Sequence, residues 1–368
     1  MTIKIRKELY QLKPYVPGRS KQEIETLTGR DDILRVSFNE SPLGPSPKAQ
    51  EAIRDFLPQI HLYPDANYRE LRASLAKLWQ RKSENFIIGD GTDEVISMLA
   101  KTYVGPGDQV VLADPTFGAY RLGVAIQGGT IVPVALKPDF SYDLEAYLAA
   151  INERTRLVYL CSPNNPTGTY INRQQLEAFL AAVPSHVLVV LDEAYADYSE
   201  APDFPRGCDY LDQFNVIVLR TFSKMFGLAG LRIGYGLACE EIIFDLHRVR
   251  EPFNVNQVAA VAANAALNDA EYLALSRSVN SEGKQFFYQQ FTEMGLAYCE
   301  SQANFIWVKA GVDSKELVEA MLEEGITIRG GYAFNCPEWI RITVARAADN
   351  ERIIASLKRL LPAGERTR

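Results

Sequence analysis

Residues 187–198 read VLVVLDEAYADY. Five apolar residues, mostly β-branched, are followed at once by two carboxylates and a tyrosine. The run is short enough to be one strand buried on both faces, and a carboxylate placed directly after it is costly to bury unless it meets a cation. The same grammar repeats on either side. Downstream, NVIVL at 215–219 leads into RTFSKMFGLAGLR at 220–232, and upstream, RLVYLC at 156–161 leads into SPNNPTG at 162–168. Gln109–Ala113, Thr130–Leu136 and Phe86–Ile88 read as further short strands. Helical periodicity separates them, with Leu71, Leu75 and Leu78 on one face, a pattern from Thr92 to Tyr103, and Leu176, Phe179, Leu180 and Val183 on another. Doubly buried strands alternating with helices predict an α/β domain, a mostly parallel central sheet flanked by helices.

Beyond this region the pattern changes. The alanine-rich stretch 258–278 reads as one long helix. Asn304–Lys309 and Trp339–Val344 read as strands. One neighbouring helix is started by Asp313 with Glu316 three residues later, and another carries Ile353, Ile354, Leu357, Leu360 and Leu361 before Pro362. That is a smaller α+β domain. Residues 1–35 are polar and punctuated by Pro14, Pro17 and Gly18, which reads as an arm. The expected division is an arm at 1–35 packing with the small domain, a large domain at 36–257, and a small domain at 258–368 whose first helix links the two.

Lys and Arg total 39 against 46 Asp and Glu, a net charge of −7 with no basic stripe, which argues against a nucleic-acid partner. The longest apolar runs, Val187–Leu191 and Val258–Ala263, are far shorter than the roughly 18 residues of a membrane span. The N-terminus lacks the apolar segment of a secretory signal. Five widely spaced cysteines without C-x-x-C, and three histidines outside any ligand motif, argue for free thiols in a reducing compartment and for no metal. A cytoplasmic location is expected.

Ligands of α/β sheets sit at the carboxyl ends of strands, so the residues after each strand carry the chemistry. Gly91-Thr92-Asp93 opens a helix whose free N–H groups suit a phosphate, although an ordinary turn capped by Thr92 or Asp93 reads equally. Asn165 lies between two prolines in a rigid turn, ligand-facing or merely structural. Asp192 pairs with a cation or caps a helix, and Tyr195 follows three residues on. Lys224 follows a buried strand and lies among apolar residues and glycines. There a desolvated amine is lowered in pKa and becomes a nucleophile toward an aldehyde. Thr221, Ser223 and Arg232 flank it with phosphate-binding groups. A lysine for an aldehyde, an aspartate for a ring cation, Asn and Tyr donors, and a phosphate cradle together fit pyridoxal phosphate.

These motifs give the chain a close resemblance to the histidinol-phosphate aminotransferases, members of the fold-type I pyridoxal-phosphate aminotransferases. It runs from LKPYVPG (12–18) through RVSFNESPLG, LYPD, GDGTDE, DPTFGAY, CSPNNPTGTY, VLVVLDEAYADY, RTFSKMFGLAGLRIGYG and REPFN to SQANF and WIRITV. The resemblance implies that Lys224 joins the cofactor as a Schiff base and then shuttles a proton, and that Asp192 pairs with the ring nitrogen. Asn165 and Tyr195 would bond the ring hydroxyl, and Phe117 would stack on the ring where many relatives carry Tyr. The amides of Gly91, Thr92 and Asp93, with Thr221, Ser223 and Arg232, would hold the phosphate. Tyr63 would reach that phosphate from a neighbouring subunit of a homodimer with shared active sites. Arg341 and Arg329 would bind the phosphate of histidinol phosphate and the carboxylates of glutamate, with Tyr15 and Asn39 covering the pocket. Residues 330–337 depart from the glycine-rich pattern of relatives.

The implied reaction is ping-pong transamination between L-histidinol phosphate and 2-oxoglutarate in histidine biosynthesis. An aromatic amino acid aminotransferase, a threonine-phosphate decarboxylase and, outside enzymes, a pyridoxal-phosphate-binding regulatory protein use the same residues.

Overall fold

The computed structural model describes residues 3–10, 12, 14 and 19–362. The strands are β1 (Leu34–Arg35), β2 (Phe86–Gly89), β3 (Gln109–Asp114), β4 (Thr130–Ala135), β5 (Thr155–Cys161) and β6 (Leu188–Asp192). They continue as β7 (Val216–Thr221), β8 (Gly234–Ala238), β9 (Phe305–Lys309), β10 (Ile326–Thr327), β11 (Arg329–Gly330) and β12 (Trp339–Thr343). One seven-stranded sheet has the order β2-β8-β7-β6-β5-β3-β4. Its neighbours pair in parallel except β8, which is antiparallel to both β2 and β7.

The alternation of side chains explains the apolar runs. Val158, Val189 and Val218 face one buried cluster, while Leu157, Val190 and Ile217 face another on the opposite side. Both faces are covered, so neither needs a polar residue.

The sequence reading misses β8, and glycine is the reason. A Cβ on Gly234 would lie 2.8 Å from the Thr92 amide, and one on Gly236 3.1 Å from Ile217 Cδ1. The strand carries glycines because the start of helix Gly91–Tyr103 presses against it, and this removes the usual β-branched signature.

The expected helix 258–278 is two helices, Gln257–Leu267 and Ala270–Met294. Asp269 caps the second, accepting from Tyr272 N at 3.4 Å, and also accepts from the Ser46 hydroxyl at 2.5 Å. That tether to the start of helix Pro47–Phe56 ends the first helix at a residue whose side chain favours a cap. In helix Arg69–Trp79, Leu71 and Leu75 are buried as expected but Leu78 is exposed, and Trp79 packs on the core instead.

The C-terminal strands β11-β12-β9 form an antiparallel sheet. Ile306, Ile340 and Ile342 pack there with Phe287 and Phe291 of the long helix and Leu357 of helix Ala347–Leu360. Asp313 caps helix Ser314–Glu323 through the Lys315 amide at 2.7 Å. Near the N-terminus, helix Lys21–Thr28 starts in a reciprocal Ser20–Glu23 capping box, and Arg19 pairs with Glu319 at 3.0 Å. The turn Lys7–Leu9 lies instead against helix Ala119–Gln127, where Arg6 donates to the Ile126 carbonyl at 2.5 Å. The carboxyl ends of β5, β6 and β7 open on one edge, beside the start of helix Gly91–Tyr103.

Candidate active site

A cavity of about 290 Å³ lies at that edge. Lys224, just past β7, forms part of its wall and is half-buried because the cavity reaches its amine. Its Nζ donates to the Phe38 carbonyl at 3.0 Å and lies 5.8 Å from the Tyr195 ring centroid. Burial, helped by the nearby charge of Arg341, lowers this amine from 10.5 to about 8.

Asp192 ends β6 and is 3% exposed. Its carboxylate accepts from Tyr120 Oη at 2.5 Å and from the Ala194 amide at 3.0 Å, both neutral donors. Burial outweighs these bonds and pushes the carboxyl up to about 6. A carboxylate so placed favours a ligand cation beside it.

Asp90 is the N-cap of helix Gly91–Tyr103, but its side chain makes no cap bond, so neither Thr92 nor Asp93 plays that part. Gly91 has φ +73°, and a Cβ there would lie 2.6 Å from Arg232 Nη2. The guanidinium therefore lies directly over the helix start, where it pairs with Asp93 at 3.2 Å. Thr92, Thr221 and Ser223 line the cavity beside it, with the Ser223 amide bonded to Thr221 Oγ1 at 3.1 Å. Amide dipole, guanidinium and hydroxyls converge as an anion cradle.

Asn164 holds the 162–168 loop, donating to Pro115 O at 3.2 Å and accepting from Thr116 at 2.8 Å. This frees Asn165 to face the cavity, where its Oδ1 accepts from Arg341 Nη1. Arg341, 5% exposed on β12, also donates to Ser37 O at 2.5 Å. Its Nε is buried and has no partner among the described residues. Burial lowers its guanidinium to about 10. An unsatisfied donor on a buried cation is a place for an anion.

Asn39 is buried with φ +58°. It donates to Tyr195 Oη at 3.0 Å, and its amide donates to Thr343 Oγ1 at 3.0 Å. Burial pushes Tyr195 up to about 12, so its hydroxyl keeps its proton near neutrality. Phe117 lines the cavity, edge-on to Tyr120 at 5.6 Å.

Two of the expected residues, Tyr63 and Arg329, lie away from this cavity. Tyr63 is 84% exposed and stacks on Phe253 at 4.9 Å. Arg329 is exposed, its guanidinium 5.8 Å from the Phe334 ring, and only its main chain pairs with Arg341. Tyr15 lies outside the described residues. Conversely, the sequence reading passes over Tyr120, Phe38 and the Arg35–Glu40 pair, 3.3 Å apart at the cavity mouth. Tyr120 carried a faint signal, three residues after Phe117 in DPTFGAY.

A lowered amine, a buried carboxylate and an anion cradle in one cavity suit carbonyl–amine chemistry on a phosphorylated ligand. Residues 31–357 match the family model for aminotransferase class I and II. The chain belongs to that family. It is 48% identical over 360 residues to the histidinol-phosphate aminotransferase of Moorella thermoacetica, covering 97% of this chain and 93% of that one. With the Bacillus subtilis histidinol-phosphate aminotransferase it is 41% identical, covering 98% of this chain and 100% of the other. Among solved structures, the histidinol-phosphate aminotransferase of Sinorhizobium meliloti in complex with pyridoxal-5'-phosphate superposes with a TM-score of 0.87. That pair is 31% identical, over 95% of this chain and 98% of that one. A Thermus thermophilus aspartate aminotransferase, 24% identical with a TM-score of 0.84 over 97% of this chain and 99% of that one, shares the fold.

Proposed function

We propose that this chain is a pyridoxal 5'-phosphate-dependent transaminase. It converts L-histidinol phosphate and 2-oxoglutarate to imidazole acetol phosphate and glutamate, a step of histidine biosynthesis. The observation that carries this reading is the Lys224 amine, lowered to about 8, sharing one cavity with the buried Asp192 carboxylate and the anion cradle. Relatives named for this activity, 41–48% identical over nearly the whole chain, support the substrate.

The residues fit the cofactor. Asp192 meets the ring nitrogen, whose positive charge relieves the cost of burying the carboxylate. The amides of Gly91, Thr92 and Asp93 take the phosphate with Thr221, Ser223 and Arg232. Asn165 and Tyr195 bond the ring hydroxyl, and Phe117 lies against the ring. Bound at Lys224, the cofactor supplies an electron sink for the pair left when the substrate Cα loses its proton. The Lys224 amine, freed by the incoming substrate amine, would take the Cα proton and return it to the carbon that was the cofactor's aldehyde carbon, acting as base and then acid. The Phe38 carbonyl holds that amine in place. In this division residues 36–257 serve the cofactor, and residues 258–368, with the arm, serve the substrate.

Arg341 binds the substrate phosphate in one half-reaction and a carboxylate of glutamate in the other. Arg341→Ala should lower kcat/KM of both by about 100-fold, the loss of a strong charged hydrogen bond. Single-turnover kinetics with each substrate measure this, and an unchanged glutamate rate removes Arg341 from the pocket.

The working form is a homodimer. Leu57, Ile60, Leu62, Tyr63 and Phe253 are all exposed large apolar side chains, a surface that a second copy would cover. From there the Tyr63 hydroxyl reaches the phosphate held by the partner. Tyr63→Phe should weaken cofactor retention about 10-fold. Equal loss in a chain shown by sedimentation to be monomeric would contradict the cross-subunit contact. A cytoplasmic location accords with five free cysteines. Among the described residues no helix is long and apolar enough to cross a membrane.

The decisive test is a substrate panel. Histidinol phosphate should bleach the visible absorbance of the holoenzyme in one turnover, faster than phenylalanine, tyrosine or threonine phosphate. Bleaching by the aromatic amino acids alone would replace this reading with an aromatic transaminase.

A further inference from the structure

Behind the cavity, on the far side of Thr221, lies a buried ionic cluster whose side chains are not among those assigned to the cofactor. β6 and β7 pair in parallel with Asp192 opposite Leu219, and the Glu193 amide donates to Leu219 O at 2.9 Å. Side chains alternate across this seam. Asp192 and Thr221 face the cavity, and their neighbours Glu193 and Arg220 meet each other instead. Arg220 Nη1 binds Glu193 Oε2 at 2.8 Å, and its Nη2 binds Asp197 Oδ1 at 2.5 Å. The second oxygen of Glu193 accepts from the Gly207 amide at 2.8 Å. The guanidinium lies 5.0 Å from the Trp79 ring centroid, and Trp79 Nε1 donates to Tyr235 Oη at 2.9 Å. Arg220 and Glu193 are each under a tenth exposed.

The two carboxylates stand at the ends of one short turn, closed by bonds from Ala196 N to Glu193 O at 3.1 Å and from Tyr198 N to Tyr195 O at 3.0 Å. Its middle residue is Tyr195. One guanidinium therefore clamps both ends of the turn that presents Tyr195, from the strand that leads into Ser223 and Lys224. Buried charges are costly unless fully paired, and here the pairing spans the two segments whose relative position matters most.

We propose that Arg220, through Glu193 and Asp197, is a positioning residue that fixes the Tyr195 hydroxyl and the Asp192 carboxylate relative to Lys224. This inference rests on the cofactor assignment above. Misplacing a reacting group by about an ångström can cost on the order of 100-fold in rate. Arg220→Ala should accordingly lower kcat by about 10–100-fold with little change in KM. With Tyr195 misaligned, the ring oxygen loses a donor that stabilises its charge. The pH midpoint of the visible absorbance of the Lys224-bound cofactor then moves upward.

A second cavity of about 230 Å³, lined by Trp79, Asp197, Arg206 and Arg220 and sharing Thr221 with the first, adjoins the guanidinium. In holoenzyme carrying Arg220→Ala, millimolar guanidinium ion should enter it and restore both kcat and the midpoint, whereas sodium at equal ionic strength should not. If Arg220→Ala does not fold, Asp197→Asn, nearer the surface, carries the same measurements with a smaller shift in the same direction. A folded variant with wild-type kcat and midpoint overturns the proposal, as does loss of activity with an unmoved midpoint and no rescue. A wild-type chain that takes up no pyridoxal phosphate sinks the cofactor reading itself. A coloured wild type beside unaltered variants sinks this inference alone.

Discussion

Lys224→Ala should lower transamination by about 10⁴-fold or more, the upper end of what a positioned acid–base group contributes. The argument starts from charge. An amine at about 8 is uncharged in about a quarter of molecules at pH 7.5, whereas an ordinary lysine amine is uncharged in about one in a thousand. Burial and the neighbouring Arg341 make this difference, and it is what permits attack on an aldehyde near neutrality. Lys224→Arg keeps a cation of similar reach but offers no nucleophile, and should fail as fully. In the native chain, cofactor capture should quicken as pH rises through about 8, because the neutral amine is the reacting form. Borohydride reduction of the holoenzyme, followed by peptide mapping, should place the cofactor on Lys224. Label on another lysine, or a tenth of native activity left in Lys224→Ala, would defeat the assignment.

The parts of this site legible in the sequence are those that lie at the end of a strand. Asp192 and Lys224 each follow a run buried on both faces, so position along the chain reports position in space. What escaped notice is contributed from far away. Phe38 and Lys224 are 186 positions apart, and Tyr120 and Asp192 72. No local pattern encodes such contacts. β8 was hidden for a different reason, since Gly234 and Gly236 answer to the close approach of a helix and a neighbouring strand rather than to strand propensity. The helix break at Asn268 and Asp269 was present as a capping residue, but the surrounding alanines outweighed it. Tyr63 marks a third kind of limit. In one chain it is an exposed ring stacked on Phe253, and its expected partner belongs to another copy.

Asp192→Asn should separate stability from function with opposite signs. In the chain without cofactor, the Asp192 carboxyl sits at about 6, above its ordinary 3.8. As pH rises the unfolded chain ionises first, so the folded state loses stability between about pH 4 and 6, and the deficit persists above that window. A gap of about two units corresponds to about 3 kcal/mol. Asparagine keeps one acceptor oxygen for the Ala194 amide, and its NH2 can donate to the Tyr120 hydroxyl oxygen, without the charge. Cofactor-free Asp192→Asn should therefore be more stable than the native chain by up to about 3 kcal/mol at pH 7.5, and equal to it near pH 3.5. With pyridoxal phosphate added the order should reverse, because the native carboxylate gains a ring cation to pair with and the amide does not. The variant should bind cofactor weakly and lose about 10³-fold in kcat, comparable to removing a preorganised charge-stabilising group. Urea unfolding at the two pH values, with and without cofactor, measures all four terms. If the substitution destabilises the cofactor-free chain at pH 7.5, the burial of Asp192 is already compensated within the protein and no ligand cation is called for.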